Sequence, residues 1–185
     1  EGLRIHYLVD THTHADHFSA TRKVSGMIDA PVVMHRNSGA PFVDIRVNDG
    51  ESLIVGNLRM NFMHTPGHTA DSMSVVLPDR ILTGDTLLIG GTGRTDLPTG
   101  DPDQLYDSLF NGLFRLDLNL KIYPGHDYKK LGHSTLEKEL AENPRLQNSD
   151  RAAFVEQMEA LNLSAPQHLT EALRTNLSGG KTVAQ

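Results

Sequence analysis

The chain predicts an α/β fold with a metal site where several strands end. Two observations carry this. Short β-branched or apolar runs alternate with helical patterns, and four of the runs end in a His- or Asp-bearing loop. The densest such loop is Thr11-His12-Thr13-His14-Ala15-Asp16-His17, with three histidines and an aspartate within six positions. Side chains alternate along a strand, so His12, His14 and Asp16 would converge if this segment is extended. Buried together without a partner, such groups would be costly. A cation removes that cost, because neutral imidazole and carboxylate are its usual donors.

Taken in order, residues 3–9 alternate well enough for a strand that delivers Asp10 and the His cluster. Residues 31–35 are a short buried-strand pattern. Residues 52–55 and 58–63 flank Gly56-Asn57, a two-residue hairpin turn, and the second run leads into His64-Thr65-Pro66-Gly67-His68. Residues 73–77 and 80–83 flank Pro78-Asp79, and the latter run delivers Gly84-Asp85. Residues 120–123 lead into Pro124-Gly125-His126.

Helices follow. Asp101-Pro102 places an N-cap and an N1 proline before Leu105, Leu109, Leu113 and Leu116. Ser134-Thr135-Leu136-Glu137 reads as a capping box whose helix stops near Asn143-Pro144. A third helix starts around Asp150 with Phe154, Met158 and Leu161 on its inner face. Residues 1–177 are expected to form one domain, and residues 178–185, with Ser178-Gly179-Gly180-Lys181, a flexible tail or linker.

The 185 residues suffice for a substantial core. The absence of cysteine excludes a Cys nucleophile, a Cys-ligated zinc finger and an iron–sulfur cluster, and fits a reducing compartment. A formal charge of -6 without a long Lys/Arg run argues against nucleic acid as partner. No apolar run reaches the ~20 residues that would span a membrane. The metal motif begins only about ten residues from Glu1, and no targeting segment is visible, so native N-terminal sequence is expected to be missing.

The ordered set His12-x-His14-x-Asp16-His17, His68, Asp85 and His126 resembles the metallo-β-lactamase superfamily. The resemblance implies an αββα sandwich with its metal site along one edge, the N-terminal strands of the first sheet being absent from this chain. Two branches compete. In dinuclear zinc hydrolases of the glyoxalase II type, His12, His14 and His68 would hold one Zn(II), Asp16, His17 and His126 a second, and Asp85 would bridge. In persulfide dioxygenases, one Fe(II) per chain would be held by His12, His68 and Asp85, with His14, Asp16, His17 and His126 around them.

The stretches Gly84-Asp85-Thr86-Leu87-Leu88-Ile89, Gly93-Arg94-Thr95-Asp96, Ile122-Tyr123-Pro124-Gly125-His126-Asp127-Tyr128 and Glu142-Asn143-Pro144-Arg145-Leu146 resemble the dioxygenase branch, as does Leu161-Asn162-Leu163 with Pro166-Gln167. That branch implies oxidation of glutathione persulfide by O2 to sulfite and glutathione, with Fe(II) as cofactor and two Zn(II) as the alternative. It implies no membrane or nucleic-acid partner, a homodimer, and a fused or separate rhodanese-like domain. The setting is cytoplasmic, or the mitochondrial matrix in a eukaryote. Arg94 either takes a substrate carboxylate or braces its loop against Asp96 or Asp85. Tyr128 either hydrogen-bonds substrate or packs with its hydroxyl at the surface. His6, His35, His64, His133 and His168 are read as structural.

Overall fold

A strand needs a partner along its length, and residues 3–7 have none. The expected strand over residues 3–9 therefore shrinks to β1 (Leu8–Val9) in the computed structural model, which describes residues 2–164, 166 and 168–178. After β1 the chain crosses through helix α1 (Thr21–Ile28) to β2 (Val32–His35) and β3 (Ile45–Val47). Order β1-β2-β3 is parallel throughout. Both faces of β2 are covered, as its unbroken apolar run predicts: Val33 packs with Val47, Phe62, Met73 and Val75, while Val32 and Met34 pack with Ala40.

The second sheet follows the predicted hairpins closely. β4 (Ser52–Val55) and β5 (Leu58–His64) pair around Gly56, whose φ of 60° suits the turn. β6 (Met73–Val76) and β7 (Arg80–Gly84) continue the meander, and β8 (Leu87–Leu88) with β9 (Gly91–Thr92) makes a small separate hairpin. Helix α2 (Pro102–Tyr106) precedes β10 (Lys121–Pro124), β11 (Ser134–Thr135), α3 (Leu136–Glu142), α4 (Arg151–Glu159) and α5 (Leu169–Ser178). The sheet runs β11-β10-β7-β6-β5-β4, with β10 parallel to β7.

One core lies between this sheet and α2 to α4, around Ile81, Leu105, Leu109, Leu113, Ile122 and Phe154. A second lies between the two sheets, around Val33, Phe62 and Met73. With α1 against β1 and β2, the layers are helix, sheet, sheet, helix. Among the described residues no helix is long and apolar enough to cross a membrane.

Three local details differ from expectation. The Leu105–Leu116 helix is α-helical only to Tyr106, widens into π turns over Asp107–Gly112 and closes as 3-10 turns over Leu113–Arg115. Leu105, Leu109 and Leu113 are nevertheless fully buried. The cap of α3 is Thr135, which accepts from Lys138 N at 3.2 Å. Ser134 is unsuited because it pairs with Ile122 across β10 and β11. Ser178 ends α5, while Gln167 and the expected tail over residues 179–185 lie outside the described residues. The remaining caps, Asp101 on Gln104 N and Asp150 on Ala153 N, fall where expected.

His35, at the end of β2, stacks on His64, at the end of β5, with ring centroids 3.9 Å apart and planes 7° from parallel. Burial, then the neighbouring His64, pushes its pKa down to about 4. An unfolded His35 would titrate near 6.5, so between those values the unfolded chain binds more protons, and stability is lost as pH falls. Chemical denaturation of the metal-free protein from pH 6.5 to 4 should therefore cost wild type up to about 3 kcal/mol more than His35→Asn. Parallel curves for the two proteins would contradict this.

Candidate metal centre

β1 ends beside β2, and the chain then bends through residues 10–17 rather than continuing as a strand. The bend corrects the expected convergence of His12, His14 and Asp16. His12 instead meets His68, from the turn after β5, and Asp85, from the end of β7. The three are 2%, 6% and 8% exposed, and one donor atom from each lies within 4.8 Å of the others. His12 Nε2 is 4.0 Å and His68 Nε2 3.7 Å from Asp85 Oδ2. His14, Asp16 and His17 form a second, more exposed cluster with the same closeness of donor atoms.

Tight packing fixes these loops. His68 Nδ1 donates to the Arg94 carbonyl at 2.9 Å, which turns Nε2 toward Asp85. Gly67, at φ +129°, leaves no room for a side chain against the Leu105 backbone. Ser108 Oγ donates to Pro66 O at 2.6 Å, so α2 and its continuation brace the His68 turn. Gly125 lets the His126 loop pass Asp85, since a Cβ there would sit 2.6 Å from Asp85 Oδ1.

The electrostatics suit a cation. Burial, followed by the nearby His14 and His68, lowers the His12 pKa to about 3, so its ring is neutral at pH 7. Its Nδ1 contacts Thr11 Oγ1 at 3.0 Å, while the buried Nε2 has no hydrogen-bond partner. An orphaned imidazole nitrogen facing a second imidazole and a carboxylate is what a divalent ion would satisfy. Burial raises Asp85, but the hydrogen bond from His126 and the adjacent His12 and His68 outweigh it and hold the carboxyl at about 2. His126 is raised to about 9, chiefly by Asp85. It donates from Nδ1 to Asp85 at 2.9 Å and from Nε2 to Asp16 at 3.0 Å. Both of its nitrogens are thus engaged by carboxylates.

The flanking candidates separate. Arg94 sends Nε and Nη2 to the two oxygens of Asp96, each at 2.6 Å, and Nη1 to Ser164 O at 2.7 Å. Of the two expected roles, the loop brace to Asp96 is the one this geometry favours. Tyr128 stacks on His126 with centroids 5.6 Å apart, but is 80% exposed at the rim of the cleft.

Two positioning groups left no signal in the sequence. Asp71 accepts from Thr13 N at 3.1 Å, Thr13 Oγ1 at 2.5 Å and Thr69 Oγ1 at 2.7 Å, which ties the His12–His14 segment to the His68 turn. Asn176 on α5 donates to His14 O and His17 O at 2.8 and 2.9 Å. Asp71→Ala should fold, yet hold Fe(II) about 10- to 100-fold more weakly in competition with a chelator. An unchanged affinity would remove Asp71 from the site.

The model of the metallo-beta-lactamase superfamily matches residues 1–126. The mitochondrial persulfide dioxygenase ETHE1 of Bos taurus is 40% identical over 182 residues, covering 97% of this chain and 71% of that protein. The crystal structure of ETHE1 from Myxococcus xanthus superposes with a TM-score of 0.93 at 41% identity, covering 97% of this chain and 79% of the other. A hydroxyacylglutathione hydrolase from Anaeromyxobacter dehalogenans is 35% identical over 128 residues, 69% of this chain and 50% of that protein.

Proposed function

The chain belongs to the metallo-β-lactamase superfamily, and from that premise we propose that it is a persulfide dioxygenase converting glutathione persulfide, O2 and water into sulfite and glutathione. The observation that carries the assignment is the buried His12, His68 and Asp85 set, with His12 Nε2 left unpartnered. The similarity to persulfide dioxygenases over 97% of the chain supports the reaction.

Two imidazoles and one carboxylate fit Fe(II), which when bound supplies open positions and a change of oxidation state that zinc lacks. The protein does the rest by placement. The Arg94 carbonyl fixes the tautomer of His68, leaving Nε2 unprotonated. Asp85 is ionised and is held from behind by the protons on His126. A cleft of about 530 Å³ opens on His68 and Asp85, large enough to admit a tripeptide persulfide with its terminal sulfur inward. In the net reaction the terminal sulfur is oxidised and gains both atoms of O2. Water supplies the third oxygen as the S–S bond breaks, and the carrier leaves as a thiol.

A dinuclear zinc thioester hydrolase is the second reading, favoured by the His14, Asp16 and His17 cluster. Against it, the His126 of that scheme is already engaged by Asp85 and Asp16. Relatives named as mitochondrial support a matrix setting in a eukaryotic host. A rhodanese-like sulfurtransferase is the kind of partner that would supply the persulfide.

Metal exchange tests the reading. Protein loaded with Fe(II) should take up O2 when given glutathione persulfide, and the same protein loaded with Zn(II) should not. Equal inactivity of both forms would overturn it.

A further inference from the structure

The cleft that opens on His68 and Asp85 is also lined by three cationic side chains, Arg94, Lys129 and Arg145. They are not equivalent. The Arg94 guanidinium is spent on Asp96 and the carbonyls of Leu163 and Ser164. Arg145 is half-buried, and among the described residues no carboxylate lies within 4.0 Å of it. Its guanidinium contacts only the Met158 sulfur, at 4.0 Å, and a thioether is a weak acceptor.

The Arg145 backbone is nonetheless held firmly. Its N–H donates to Asn143 Oδ1 at 3.0 Å, between the buried Asn143 and the buried Leu146. The Asn143 amide donates in turn to Gly91 O and Glu139 Oε2, each at 2.9 Å, which fastens this segment to the β8–β9 hairpin on the same cleft wall. A wall that needed only packing against Met158 would be better served by an apolar side chain, since a half-desolvated guanidinium without an anion is costly. Lys129 adds a second charge, its ammonium lying over Gly90, in no ion pair among the described residues.

We propose that Arg145, assisted by Lys129 at the rim, is an anion subsite that receives a carboxylate of the thiol carrier and thereby sets substrate specificity. The proposal rests on the persulfide dioxygenase reading for its substrate but not for its chemistry. Any carrier it selects bears a carboxylate within reach of the cleft, and carriers without one bind weakly. Guanidinium and carboxylate pair through two parallel hydrogen bonds, which ammonium reproduces only in part.

Calorimetry on the iron-loaded protein tests this with S-methylglutathione and with its dimethyl ester, which lacks both carboxylates. Arg145→Met should weaken S-methylglutathione about 10- to 100-fold, Arg145→Lys should fall between, and Lys129→Met should cost less than Arg145→Met. The ester should bind wild type and Arg145→Met alike. In turnover, the Arg145→Met loss should appear in KM for glutathione persulfide rather than in kcat. Wild-type affinity for S-methylglutathione in Arg145→Met, or an equal loss for the ester, overturns the subsite. If wild type takes up no O2 yet loses S-methylglutathione affinity on Arg145→Met, the dioxygenase reading fails and the anion subsite stands.

Discussion

His12→Ala should abolish iron binding and persulfide-dependent O2 uptake while leaving the fold in place. The ring is 2% exposed, its Nε2 has no other partner, and it stands with His68 and Asp85 as one of three converging donors. Loss of a ligand should exceed the about 10- to 100-fold effect of groups that only orient ligands. Little intrinsic stability should be lost with it, because no hydrogen bond of Nε2 is broken. A ligand that binds only the folded state raises apparent stability in proportion to the logarithm of its concentration over Kd. Fe(II) should therefore raise the melting temperature of wild type and leave that of His12→Ala unmoved. Iron content, thermal shift and O2 uptake read the same claim three ways, and a variant retaining all three would place the metal elsewhere.

Phe154→Ala should be the most damaging change away from the site. Phe154 is fully buried on α4, edge-on to Phe110 at 5.9 Å and to Tyr106 at 5.7 Å, in the core that joins the helices to the six-stranded sheet. Truncating such a ring costs about 3–5 kcal/mol through lost burial and the cavity left behind. Lost aromatic contacts fall within that range rather than adding to it. The urea midpoint of the metal-free protein should drop accordingly, with O2 uptake per folded, iron-loaded molecule unchanged, because Phe154 touches no candidate ligand. A loss below about 1 kcal/mol would mean that this core collapses to fill the space.

Much of this arrangement was legible in the chain. Strands β2, β4 to β7 and β10 fall within a residue or two of expectation, because period-two patterns were bounded by strong turns such as Gly56-Asn57 and Pro78-Asp79. His12, His68 and Asp85 come together as the family pattern implied. Residues 11–17 were misread as extended. Alternating spacing suits a strand, but β1 ends at Val9 and the chain turns, so His14 and Asp16 join His17 instead. Helix α1 escaped notice because none of its residues is buried, and β3 because three residues carry too little pattern.

The supports of the site were the least legible. Asp71 acts on Thr13 across 58 positions, and Asn176 reaches His14 across 162. Hydrogen bonds between segments so distant leave no spacing to read. Arg145 was passed over for Arg94 for a related reason. Only the folded chain places Asp96 against one guanidinium and leaves the other facing the cleft.

The most direct test of the whole account assays one iron-loaded preparation against glutathione persulfide and, in parallel, against a glutathione thioester. The account predicts that O2 consumed equals sulfite formed equals persulfide lost, with no thioester cleavage above the metal-free control. Thioester cleavage without O2 consumption would contradict it.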